Sequence, residues 1–235
     1  MFVDSPYFWL LLISTCVLAV IAIYLFRIRR VPGAAQLAIF MVSVFIFSFA
    51  YMGELLSSTL DLKILHVKIE YIGIVSIPVT WLAFICSYTN FRCELLSSKK
   101  AWALLALIPA ITLILVWTNE LHSLIWTEIY ITIKHGYRIF TSEFGPWFWL
   151  HSVYSYFLLL SGTIILIFSI REQEPQHYEQ KILTIIAVLI PWFINGLYLS
   201  GFTIGPNLDP TPFAFLISGI IFTINLSFFQ FFKTI

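Results

Sequence analysis

Seven apolar runs, each long enough to cross a lipid bilayer, constrain this chain more than any other feature. They fall at about 7–26, 36–57, 66–89, 101–118, 147–170, 180–200 and 212–232. Each holds ~18–24 residues, so a helix over it reaches roughly 27–36 Å, the thickness of the hydrocarbon core. Composition agrees, since 60% of the 235 residues are hydrophobic and only 11% are charged. A water-facing surface needs about a quarter charged. In lipid the backbone must satisfy its own hydrogen bonds, and helices are the form that such runs take. The predicted fold is all-α: a polytopic bundle of seven transmembrane helices, one domain over residues 1–235.

Pro78, Pro109 and Pro191 sit inside the third, fourth and sixth runs. Neighbouring helices are expected to satisfy the carbonyls that these prolines free. Positive charge sets the direction of threading. Arg27, Arg29, Arg30, Arg92, Lys99, Lys100, Arg171, Lys181 and Lys233 fall on one side, nine of the thirteen Lys and Arg. Lys63, Lys68, Lys134 and Arg138 fall on the other. The expected topology is N-outside, C-inside. The first run starts at Tyr7 behind Asp4, with its arginines after it. That is the reverse of a cleavable signal peptide, so the run is expected to stay as a helix.

The one long connection, about 119–146, belongs to the outer side. Trp126 to Ile133 is β-branched and aromatic, His135-Gly136 follows, and Tyr137 to Thr141 repeats the pattern. This predicts a small extracellular β-hairpin between the fourth and fifth helices, which becomes a lid if it lies over the bundle. Asp209-Pro210-Thr211-Pro212 predicts a sharp start to the seventh helix, with Thr211 as N-cap and Pro212 as first helical residue.

Polar groups inside such runs are informative, because a charge at mid-bilayer costs ~2.5–3.5 kcal/mol even on mild insertion scales. Here they gather toward the outer ends. Glu54 closes the second run and Glu70 opens the third. Trp147, His151, Tyr154 and Ser155 recur at helical spacing in the fifth. Trp192, Asn195 and Tyr198 do so in the sixth, and Asp209 precedes the seventh. Each has a plain explanation. The two acids reach the interface or pair with Lys68 or His66, His151 is an ordinary bundle histidine, and Trp147 joins an aromatic belt. Asn195 bonds neighbouring helices and Asp209 helps to cap. Together, Glu54, Glu70, Trp147, His151, Tyr154, Asn195, Tyr198 and Asp209 describe an outward-facing pocket for a small ligand, with apolar walls and a few fixed polar groups.

Other chemistries find no support. The sequence has no HExxH or Cys/His ligand set, no Walker or GxGxxG loop, and no nucleophile–base pair. The last run lacks the mid-helix lysine of a retinal Schiff base, with Lys233 at its inner end. No Lys/Arg tract suggests nucleic acid. Cys16 and Cys86 lie in apolar runs and Cys93 in a basic loop, so the three cysteines read as buried packing residues rather than a disulfide framework. Neither a cofactor nor a metal is expected, and this chain is not expected to be an enzyme.

A set of short stretches recurs in order along most of the chain. Glu54 and Ser57 come first, then Tyr71-Ile72-Gly73 with Pro78 and Trp81. Thr118-Asn119 with His122 and Trp126 follow, then Gly145-Pro146-Trp147-Phe148-Trp149 with His151, Tyr154 and Tyr156. Pro191, Asn195, Tyr198 and Gly201 precede Asp209-Pro210-Thr211-Pro212 with Phe215, Ser218 and Gly219. In these the chain resembles the seven-helix sensor region at the amino terminus of many bacterial and archaeal sensor histidine kinases, a region that also precedes some diguanylate cyclases. The resemblance implies a multi-pass receptor domain in a prokaryotic plasma membrane. An external or intramembrane small-molecule stimulus would bias its helices, and the seventh would carry the change to a cytoplasmic output domain. Expected partners are the lipid bilayer, that ligand and, through the output region, a second copy of the receptor. The family's pattern places the output domain after the seventh helix, whereas nothing follows Ile235. A sensor segment of a longer receptor is the favoured expectation and a stand-alone module the other. A small transporter or permease component is the alternative function, although no internal repeat of the kind such folds carry is visible.

Overall fold

The computed structural model describes residues 4–91, 96, 98–134, 136–171, 178–201 and 208–233. Arg92, Cys93 and His135 lie outside them, as do the side chains of Arg171, Lys181 and Lys233. The described residues form seven long helices: α1 (Pro6–Arg27), α2 (Ala34–Leu56), α3 (Leu60–Tyr88), α4 (Lys99–Trp117), α5 (Pro146–Arg171), α6 (Tyr178–Leu199) and α7 (Thr211–Lys233). Between α4 and α5 come a single 3-10 turn (Asn119–Leu121) and two antiparallel strands, β1 (Trp126–Lys134) and β2 (Tyr137–Phe144). Six helices have the length and apolar character of a bilayer crossing, and α7 carries the apolar stretch Thr211–Ser227. The molecule is a mostly helical, multi-pass membrane protein.

Short polar side chains mark where helices begin. Ser5 Oγ accepts the Tyr7 N–H at 3.1 Å, with Pro6 as the first helical residue of α1. Ser98 does the same for α4 through the Ala101 N–H at 3.1 Å. At α7 the expected cap is corrected by one step. Asp209 Oδ1, not Thr211, takes the role by accepting the Thr211 N–H at 2.9 Å, so Thr211 is the first helical residue and Pro212 the second.

Helix α3 departs further from expectation, beginning at Leu60 rather than near residue 66. Asp61 and Lys63 made the stretch look like a loop. Lys63 is instead helical and fully buried, because Glu54 neutralises it there. It is therefore no loop charge, and Glu70, ten residues past Leu60, lies about 15 Å down the helix instead of at its mouth. Cys16 also differs, lying on the exposed face of α1 rather than in the core.

The core gathers on α1, α2, α3 and α7. Phe40, Trp81, Phe84 and Phe222 interlock with ring centroids 5.2–6.0 Å apart. Gly73 is where α3 meets the α2 backbone, so a methyl group there would collide with Ser43 O and Phe47 N. Two prolines show how the bundle tolerates them. Pro109 leaves the Leu105 carbonyl without its helical donor, and the Tyr154 hydroxyl of α5 donates to that oxygen. Pro191 likewise frees Ala187 O, which Ser218 Oγ of α7 reaches at 2.5 Å.

Candidate functional site

The hairpin connection is built from its base upward. Asn119 Oδ1 accepts the N–H groups of Ile125 and Trp126 at 3.0 and 3.1 Å, while its Nδ2 donates to Trp126 O at 3.0 Å. His122 Nδ1 accepts the Leu124 N–H at 3.0 Å. Gly145 rests against Leu124 O, where a side chain would not fit. A bulge between Trp126 and Glu128 breaks the strand register. Trp126 is buried edge-on against Tyr71, with centroids 5.3 Å apart.

So anchored, the hairpin borders a cavity of about 520 Å³, bounded also by α2, α3, α5, α6 and α7. This is within the usual range for small-molecule pockets, roughly 300–1,000 Å³. Ile139, Phe140, Thr141, Ser142 and Phe144 of β2 form part of its wall. The hairpin is joined to the bundle at Glu54, whose Oε1 accepts the Phe140 N–H at 3.3 Å. The same oxygen lies 2.6 Å from Lys63 Nζ, and Lys63 also donates to Glu54 O at 2.7 Å. This ion pair is buried on both sides, so each charge depends on the other.

Six of the eight residues singled out from sequence line the cavity: Glu54, Glu70, His151, Asn195, Tyr198 and Asp209. Trp147 and Tyr154 do not. Trp147 Nε1 donates to Thr112 Oγ1 of α4 at 2.9 Å, and Tyr154 serves the carbonyl freed by Pro109. At about 100° per residue, positions 147 and 154 point within ~20° of each other, whereas 151 and 155 lie 40–80° around the helix. One apparent face is thus two, with the first turned to α4 and the second to the cavity.

Ion pairing also differs from expectation. Glu54 pairs with Lys63, and Lys68 pairs with Glu120 at 2.5 Å. His66 Nδ1 lies 3.0 Å from Ser57 Oγ and 2.8 Å from Leu62 O. Glu70 has none of these partners. It is 7% exposed, its Oε1 has no hydrogen-bond partner, and the same holds for His151 Nε2 and Ser155 Oγ. All three residues line the cavity.

Across the floor, the Tyr156 hydroxyl donates to Asn195 Oδ1 at 2.8 Å, and Asn195 Nδ2 donates to Thr211 Oγ1 at 3.4 Å. This chain of side chains joins α5, α6 and α7. Asp209, ahead of α7, is held by its backbone as well. Its N–H donates to the Tyr51 hydroxyl at 2.8 Å, and its carbonyl accepts from the Tyr7 hydroxyl at 2.7 Å. Burial pushes its carboxyl up to about 6, with the hydrogen bonds from Thr211 acting against that.

Sequence reasoning missed the aromatic wall, which includes Phe40, Trp81 and Trp126. An aromatic residue in an apolar run faces lipid as readily as a cavity, so no local signal separates the two. No cluster of His, Cys, Asp or Glu suited to a metal occurs among the described residues. The sequence profile of the N-terminal 7TM region of histidine kinases matches residues 10–235. No curated protein matches the chain.

Proposed function

The chain belongs to the family of N-terminal 7TM regions of histidine kinases, a non-catalytic input region, and we propose that it is a receptor module for a small molecule. The ligand reaches the cavity from outside the cell membrane, under the hairpin, and its occupancy sets the arrangement of α7, which leads toward a cytoplasmic kinase. The observation carrying this reading is the trio Glu70 Oε1, His151 Nε2 and Ser155 Oγ. These are buried polar atoms without partners, on residues that share one cavity. Leaving such groups unpaired costs ~1–3 kcal/mol each, a cost that a ligand hydrogen-bonded to them removes.

The route to α7 is short. Phe215, Ser218 and Phe222 of α7 line the same cavity, and Ser218 is bonded across to α6. A ligand that contacts these residues differently in two bundle arrangements shifts their populations, whereas equal affinity shifts nothing. The test is access. In a background with Cys16, Cys86 and Cys93 replaced by Ser, Ser155→Cys should react with a membrane-impermeant thiol reagent applied from outside intact cells. Protection of that thiol from the outside, together with labelling from the inside, rejects the outward receptor.

A further inference from the structure

The cavity's charge and hydrogen-bonding character names a ligand class. This rests on the cavity being the receptor site proposed above. Three carboxyls line it, and Lys63 neutralises that of Glu54. Among the described residues neither Glu70 nor Asp209 forms an ion pair. Lys134 is the lysine on the wall, and it belongs to the exposed hairpin. Among the described residues the interior therefore carries two carboxyls with no cation paired to them.

The unpartnered atoms point the same way. Glu70 Oε1 is an acceptor, and Ser155 Oγ and His151 Nε2 both have acceptor capacity. They match, in number and kind, the three N–H donors of a primary ammonium. Around them the wall presents Tyr71, Trp81, Trp126 and Trp192, whose ring faces attract cations and whose area suits an apolar body. A carboxylate ligand would add a third unpaired carboxyl to a low-dielectric space, and a neutral one would leave Glu70 without a cationic partner, whereas an ammonium supplies it. We infer that the cavity binds a primary amine carrying an aromatic or apolar body, with its ammonium on Glu70, His151 and Ser155.

The experiment is a titration of the purified chain in phosphatidylcholine nanodiscs, read by tryptophan fluorescence and calorimetry. Three probes of matched shape are used: phenethylamine, phenethyl alcohol and phenylacetate. The amine should bind at least ~10-fold more tightly than the alcohol, with phenylacetate weakest. Glu70→Gln should erase the amine's advantage while leaving the alcohol's affinity within ~2-fold, and Ser155→Ala should lower amine affinity by a few fold. If Glu70→Gln does not fold, the probe series on the unaltered protein decides alone.

Replacing half of the lipid with phosphatidylethanolamine separates two sources of the same chemistry. Loss of the phenethylamine signal assigns the site to a lipid headgroup, and an unchanged signal assigns it to a free amine. Alcohol or phenylacetate binding as tightly as the amine overturns the amine assignment and leaves the receptor reading in place. Absence of binding by all three probes overturns the assignment too, and with an outwardly inaccessible Ser155→Cys it removes both.

Discussion

The two halves of the bundle are assembled by different means. In α1, α2 and α3, 44–56% of each membrane-spanning stretch is buried, against 17–22% in α4, α5 and α6. The first set brings backbone close to backbone, as at Gly73 against α2, and fills the space between with Phe40, Trp81 and Phe84. The second turns Leu104, Ile114, Val153, Phe157 and Phe193 outward to lipid. It is fastened by single polar bonds: Trp147 to Thr112, Tyr154 to Leu105, Tyr156 to Asn195. Dispersion packing is collective and has no cheap intermediate, whereas a few hydrogen bonds can be remade one at a time. The cavity lies between the densely packed half and the sparsely packed one.

The largest expected effect tests that contrast directly. Gly73→Leu should separate α2 from α3 and cost about 3 kcal/mol or more, seen as loss of a cooperative thermal transition in detergent. Gly196→Leu, in α6 with open space around its α-carbon, should leave the transition nearly unmoved. Equal losses at the two positions would erase the distinction between the halves. Next in size is Lys63→Met, which strands the Glu54 carboxylate in the interior at a cost of about 3–5 kcal/mol. Adding Glu54→Gln should recover much of it, and a double variant no better than the single would refute the pairing.

Smaller effects belong to the fastened half. Tyr154→Phe should cost about 0.6–1.7 kcal/mol, the range for hydrogen bonds between membrane helices. In a Pro109→Ala background the helix regains its own donor to Leu105 O, so the same change should cost less, and a strictly additive cycle would break the explanation. The smallest is Glu120→Gln. The hydrogen bond from Lys68 holds the Glu120 carboxyl below its ordinary value near 4.5, so its contribution is present above that value and lost as pH falls through the lower folded one. Because Glu120 is largely exposed, the loss at neutral pH should be under about 0.5 kcal/mol and should vanish in acid.

The helices were legible because roughly twenty apolar residues in lipid leave few alternatives. The hairpin was legible because β-branched and aromatic residues surround a glycine turn. The start of α3 was hidden, since Asp61 and Lys63 carry the composition of a loop until a partner for Lys63 is known. Of the cavity, the scarce acids and His151 stood out because lipid makes such groups costly. Its aromatic wall did not, as Trp81 and Trp126 read the same whether they meet a void or a neighbour. Trp147 and Tyr154 misled for a geometric reason, as a helix turns far enough between positions 147 and 155 to serve two neighbours. Matching Tyr154 to Pro109 means asking which hydroxyl mends the broken ladder, and only the folded bundle supplies the facing register.

The join between hairpin and bundle has a consequence for how the wall of the cavity can change. Glu54 holds the hairpin through the main-chain amide of residue 140, a group that every amino acid except proline supplies. That attachment is therefore indifferent to the identity of the side chains that β2 lays against the cavity. Substitutions among those side chains reshape the cavity wall while the hydrogen bond to Glu54 persists. The shape of the wall and the attachment of the hairpin thereby rest on separate groups of the same strand.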